Sequence, residues 1–355
     1  MKRDRARRVR LALPTLVGLL AFAQYVPSQF RTRVDLVVVP VTVRDTRSKL
    51  IGGLTKDDFL VLEDGKPQMI SNFDAEPHPL SAAIVIDDGM TGDKLQRLFP
   101  PGSASLFFTL TAGFGFEDRM AAFRYDYEVE KLADFTDDPA VIRKIFSGVE
   151  EIAKLRPIAT PDHLGEKGPG WLRSALNILG SGTGGTGGPP SQGQSSSTPV
   201  KSTPGNSSRV MNDALYEAAI ALQSQPDNHM KIIFIISDGE IHGVNAHTLS
   251  ETTNFLLQNQ IQVYGVATNF ATFGSYGALT QYARATGGDV FPGTSTNSME
   301  TSFGKITEQA RNQYILGYVS SNSTRVPVYR TIQVTTRSSN YNVIHRRGYT
   351  QYPLR

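Results

Sequence analysis

Two apolar runs, each delivered into an aspartate, constrain this fold more than any other feature. Residues 82–86 run Ala-Ala-Ile-Val-Ile into Asp87, and residues 232–236 run Ile-Ile-Phe-Ile-Ile through Ser237 into Asp238. Turn residues follow each, Asp88-Gly89 and Gly239. Unbroken apolar runs, as opposed to alternating ones, predict strands buried on both faces of a parallel sheet covered by helices. In such sheets ligands sit in the crevice beyond the carboxyl ends of the strands. Two aspartates brought to that crevice suit a hard cation. The same residues also serve as N-caps of the helices that follow, and both readings stand open at this point.

The N-terminus predicts export. Lys2 to Arg10 carries six basic residues and one acid, an apolar stretch runs from Leu11, and Ala21-Phe22-Ala23 gives a small-x-small exit. That pattern reads as a secretory signal peptide over residues 1–23. Its apolar core is shorter than the roughly 20 residues a membrane span needs, so no span is expected in the mature chain, and a periplasmic or extracellular location is. The chain has no cysteine, which excludes disulfides and thiol chemistry. The net charge of +3 is set by the leader: beyond residue 23 there remain 30 Lys and Arg against 32 Asp and Glu, or −2. A basic pI is therefore no argument for nucleic acid as a partner.

Along the remaining length the pattern changes twice. Residues 33–75 read as β, with Pro40 marking a strand edge or bulge and residues 59–73 a hairpin around Asp64-Gly65. Residues 80–312 alternate strand and helix, the signature of α/β architecture. Strands are expected at 82–86, 120–125, 232–236, 261–267 and 289–291, and helices at 140–152, 212–223, 248–259, 275–286 and 298–311. Residues 181–208 are a Gly/Ser/Thr/Pro tract, read as a flexible insertion; it lacks the Lys-Ser/Thr ending of a phosphate loop. Residues 313–355 return to β with three expected strands. β segments on either side of an α/β core predict a doubly wound, mostly parallel sheet inserted into a split β-sandwich, the C-terminal segment packing with the N-terminal one.

Four motifs carry a resemblance: Ile86-Asp87-Asp-Gly-Met-Thr91, Asp118-Arg-Met-Ala-Ala-Phe-Arg-Tyr125, Asp213-Ala-Leu-Tyr-Glu-Ala218 and Ile236-Ser-Asp-Gly-Glu240. With the flanking Gly53–Phe59, Glu63–Lys66 and Tyr314–Tyr318 segments, the chain resembles the von Willebrand factor type A proteins, and among them the exported VWFA-related acidobacterial family. The resemblance implies a metal-ion-dependent adhesion site, built from Asp-x-Ser-x-Ser and a Thr and an Asp on two further loops. Its ion is usually Mg²⁺, completed by an acidic residue of the ligand. Carried over residue by residue, Asp87, Thr91, Asp213 and Asp238 become the metal candidates, with Mg²⁺ expected and Ca²⁺ or Mn²⁺ as alternatives. Gly89 stands where the family has its first Ser, and Asp213 where it has Thr, so the ion itself is in question. An inward Asp213 would add a third carboxylate and favour a larger ion; a capping Asp213 would serve backbone N–H groups instead.

Other chemistry finds little footing. The six histidines form no His-Glu-x-x-His spacing, and no Gly-x-Ser-x-Gly elbow occurs. Glu240, His242 and His247 read as loop polar residues, and Phe123, Tyr125 and Tyr127 as strand packing. Phe114 and Phe116 lie on a Gly-containing loop and read as tucked under the domain, with partner contact the second option. The expectation is a non-enzymatic adhesion-type module binding a protein or envelope polymer at the strand-end face. An envelope assembly protein with a relic metal site is the alternative, and an envelope hydrolase a distant third.

Overall fold

The computed structural model describes residues 36–87, 115, 117–138, 140, 141, 144, 210–239, 241, 244–268 and 277–353. In chain order the elements are β1 (Leu36–Arg44), a 3-10 turn (Lys56–Asp58), β2 (Phe59–Glu63), β3 (Lys66–Gln68) and β4 (Ile70–Asp74). Next come β5 (Leu80–Asp87), β6 (Arg119–Tyr125), β7 (Val129–Thr136), α1 (Met211–Gln223), β8 (Met230–Ser237) and α2 (Leu249–Gln258). They are followed by β9 (Gln262–Ala267), α3 (Gly277–Thr286), β10 (Val290–Pro292) and α4 (Thr296–Arg311). The chain closes with β11 (Tyr314–Val319), β12 (Val328–Thr336), β13 (Asn342–His345) and β14 (Gly348–Gln351). The signal-peptide segment, the 181–208 tract, Phe114 and Phe116 lie outside the described residues.

A six-stranded sheet ordered β10-β9-β8-β5-β6-β7 forms the α/β core, parallel throughout except for the antiparallel edge strand β7. Every residue of β5 and of β9 is buried. Alternation of side chains across a strand sends Ile84, Ile86, Phe234 and Ile236 to one face, against Met299, Phe303 and Ile306 of α4. It sends Ala83, Val85, Ile233 and Ile235 to the other, against Ala214, Leu215 and Ala218 of α1 and Leu256 of α2. Both faces are apolar because both are covered, and each such isoleucine is worth about 1.5–3 kcal/mol of burial. α2 starts at a cap that the chain supplies: Thr248 Oγ1 accepts from Glu251 N at 3.2 Å, while Glu251 Oε2 accepts from Thr248 N at 2.8 Å, a reciprocal capping box.

The flanking segments build two four-stranded sheets, β13-β1-β11-β4 and β14-β12-β2-β3. Val39, Val41, Val61, Leu316, Tyr318 and Val334 fill the space between them. β1 pairs with β11 and β2 with β12, so strands from both ends of the chain share each sheet. The architecture is therefore an α/β unit inserted into a split sandwich. A side-chain ion pair helps hold the seam between them: Arg44 at the end of β1 pairs with Asp289, just ahead of β10, at 2.9 Å. Within the α/β unit Asp118, almost fully buried, accepts from Leu80 N at 2.7 Å and pairs with Arg311 at the end of α4, whose carbonyl accepts from His78 N.

The structure corrects one sequence expectation, refines another and adds two strands. The expected 59–73 hairpin is only partly one: Asp64 (φ 48°) and Gly65 (φ 77°) make the tight turn, in the left-handed conformation such turns require. Only β3 returns along β2, however, and after the exposed Met69 the chain crosses to the other sheet, where β4 pairs with β11. Pro40 lies in a strand with partners on both sides, but β13 engages β1 only from Val41 onward. Its missing N–H thus falls where β1 has a single partner. Two strands, β7 and β14, were not expected; both are half-exposed sheet edges whose sequences lack an unbroken apolar run.

Candidate functional site

β5 and β8 are adjacent and in register from Leu80↔Met230 to Ile86↔Ile236, so their C-terminal residues come out side by side. Asp87 is fully buried and Asp238 is 1% exposed. Ser237 links the two strand ends. Its hydroxyl donates to Asp87 Oδ2 at 2.8 Å and accepts from Tyr125 Oη at 3.0 Å and from Gly239 N at 3.0 Å. One donated and two accepted bonds use the full capacity of a serine hydroxyl. Tyr125, the register partner of Asp87 on β6, is fully buried, so the phenol is committed to this network. Gly239 takes φ 81°, a left-handed turn that costs glycine little and lets the chain leave β8 immediately after Asp238.

Asp213 sits in the first turn of α1, but its carboxylate serves a different element. It accepts from Ala246 N and His247 N, each at 2.8 Å, and meets His247 Nδ1 at 3.0 Å. These groups belong to the loop ahead of α2. The imidazole of His247 stacks on Tyr216 with ring centroids 3.8 Å apart, and Tyr216 stacks on Phe255 of α2. The neighbouring Asn212 extends the same tie: its N–H donates to Asn245 Oδ1, its side-chain amide donates to His247 O, and its Oδ1 accepts from Tyr282 Oη. Burial first, with Asp213 nearby, pushes the Tyr282 phenol up, so it stays a hydrogen-bond donor at any ordinary pH.

Thr91, Gly89, Glu240 and His242 lie outside the described residues. Among the described residues no three His, Asp or Glu side chains come close enough to hold a metal ion, so Asp213 does not join Asp87 and Asp238 in one cluster. At the adjacent ends of β5 and β8 stand two buried aspartates, Asp87 and Asp238, and the Ser237 hydroxyl bonded to Asp87. Hard oxygens of this kind fit a Mg²⁺ ion that keeps several waters and takes only one or two carboxylates from the protein. Ser237 and Tyr125 were not singled out as site residues from the sequence. A signal for Ser237 existed: a hydroxyl closing an otherwise apolar strand just before an aspartate. The phenol of Tyr125 left none, since a tyrosine in a buried strand reads as packing.

No protein-family model matches the chain, and no curated protein sequence matches it. Solved structures do. BatB from Bacteroides thetaiotaomicron is 13% identical with a TM-score of 0.39, over 65% of this chain and 98% of that one. Proximal thread matrix protein 1 from the mussel byssus is 10% identical with a TM-score of 0.41, over 76% of this chain and 50% of that one; one of its structures carries zinc in a MIDAS motif. A variant of the PilB minor pilin from Streptococcus sanguinis is 11% identical with a TM-score of 0.38, over 66% and 62%. At these values what the site does is decided by its own residues.

Proposed function

We propose that the protein is an exported, non-enzymatic binding module whose ligand face is the C-terminal edge of the six-stranded sheet, around Asp87, Ser237 and Asp238. One observation carries this reading: two carboxylates held almost fully buried at adjacent strand ends, at the place where parallel sheets bind ligands. Burying a carboxylate costs several kcal/mol unless it is compensated, and in this reading a divalent ion compensates the two carboxylates at the adjacent strand ends. In this reading Asp87 and Asp238 hold the ion, Ser237 fixes the orientation of Asp87, and an acidic group of a protein or envelope polymer completes the shell. Mg²⁺ is the ion proposed, with Ca²⁺ or Mn²⁺ as the alternatives. Export rests on the basic head and apolar core of residues 1–23. Among the described residues no helix is long and apolar enough to cross a membrane.

A second reading is favoured by the saturation of the Ser237 hydroxyl: the aspartates are structural, and the protein acts through assembly of its sandwich. Calorimetric titration with Mg²⁺, Ca²⁺ and Mn²⁺ separates the two, run on the protein and on an Asp87→Asn, Asp238→Asn variant shown to melt cooperatively. Saturable binding lost in the variant is the expected result. Silence with all three ions would sink the metal-dependent reading and leave the structural one.

A further inference from the structure

Where α2 and α3 meet the sandwich, a groove of about 580 Å³ opens at the surface. Thr253 and Leu257 of α2, Gln281 and Arg284 of α3, and Tyr329 and Arg347 of the sandwich line it. The rest of its lining is mostly hydroxyl and amide side chains, with no carboxylate. Arg284 and Arg347 are exposed, and neither has an acidic partner among the described residues. Their positions are nevertheless defined. Arg284 stands in the last turn of α3, and the Arg347 backbone donates to Ala285 O and accepts from Ile332 N. Tyr329 is 49% exposed, and its ring lies over Gly348, where an added Cβ would stand 2.7 Å from both Cζ and Oη. The glycine leaves space for the ring and holds it as a fixed wall. Thr253 Oγ1 is shielded from solvent with no hydrogen-bond partner.

We infer that this groove binds an acidic oligosaccharide, with the carboxylate of a uronic acid unit on Arg284 and Arg347 and the sugar ring against Tyr329. Planar guanidinium forks match carboxylates two bonds at a time. A half-exposed phenol offers an apolar face with a polar tip, which suits a pyranose ring edged with hydroxyls. The accessible hydroxyl and amide lining can donate to and accept from those hydroxyls. An acidic peptide matches the arginines but makes less use of the ring of Tyr329 and the hydroxyl lining, and it is the competing outcome of the test. This site is separate in sequence and in function from Asp87 and Asp238, and does not depend on a metal ion.

The test is calorimetric titration in EDTA with tri-galacturonic acid, its neutral galactose counterpart and a hexaglutamate peptide. The protein is compared with an Arg284→Gln, Arg347→Gln variant, a Tyr329→Ala variant and the Asp87→Asn, Asp238→Asn variant, each checked by thermal melting. Expected is saturable binding of the uronate, weakened about tenfold or more without the arginines and severalfold without Tyr329. The strand-end variant should retain it, and the neutral sugar should bind far more weakly. No uronate binding, uronate binding indifferent to the arginines, or equal binding of hexaglutamate that ignores Tyr329→Ala would each overturn the inference.

Discussion

Ser237 Oγ donates to Asp87 Oδ2 at 2.8 Å across the β5–β8 boundary, joining residues 150 positions apart at the C-terminal ends of the two strands. The bond is buried, and replacing the serine removes one hydrogen bond from each of Asp87, Tyr125 and Gly239 N. Ser237→Ala should therefore cost about 2–3 kcal/mol in denaturant unfolding, more than a typical hydrogen bond. Tyr125→Phe should cost only about 1 kcal/mol, since Gly239 N still donates to the serine. Equal costs for the two would mean that the serine is not the hub of the network.

Glu63 is a fully buried carboxylate at the end of β2. It accepts from Ser320 Oγ, Asn322 Nδ2, Tyr318 Oη and Tyr349 Oη. Burial pushes its pKa up, but the four bonds, led by Ser320 and Asn322, outweigh it and hold the group below the usual glutamate value. A folded pKa below the unfolded one gives stability that is present above the unfolded value, near 4.3, and is lost as pH falls through the folded value. Urea unfolding against pH should show that acid limb in the protein. Glu63→Gln should remove it and destabilise by about 2–3 kcal/mol at neutral pH, because an amide N–H₂ would face hydroxyl donors.

Asp118 and Arg311 clamp the start of β6 to the end of α4 within the α/β unit. Removing the cation leaves a nearly buried carboxylate with only its backbone donors. Arg311→Ala should lower stability by about 3 kcal/mol, and the double variant Asp118→Asn, Arg311→Ala should recover part of that loss. A double variant no better than the single one would show that the packing of Arg311 matters more than its charge.

Asp213 orders the loop ahead of α2 through the N–H groups of Ala246 and His247. Asp213→Ala should speed amide exchange at those two residues by about tenfold or more while changing the global melting temperature little, because the loop is partly exposed. Cation binding, if Asp87 and Asp238 supply it, should survive this variant. Abolished cation binding would place Asp213 in the ion's shell.

Burial periodicity made the parallel core legible from sequence. An unbroken apolar run such as 232–236 has no solvent-facing side, and only a sheet covered on both faces supplies that environment. The capping box of Thr248 with Glu251 is written in the sequence ahead of α2, although the helix was expected there from its pattern alone. The half-exposed edges β7 and β14 were not, since neither alternation nor a continuous apolar run marks them.

Sequence alone determined that Asp87 and Asp238 leave buried strands at their carboxyl ends, because strand direction and apolar length are local properties. It also determined that β segments flank the core. Tertiary structure decided the rest. Adjacency of β5 and β8 put Ser237 within reach of Asp87. The packing of α2 beside α1 drew the Asp213 carboxylate to the 246–247 amides, and the docking of the sandwich against α2 and α3 set Arg347 and Arg284 around one groove. Hydrogen bonds between residues tens to hundreds of positions apart depend on which elements become neighbours, and no local pattern encodes that choice.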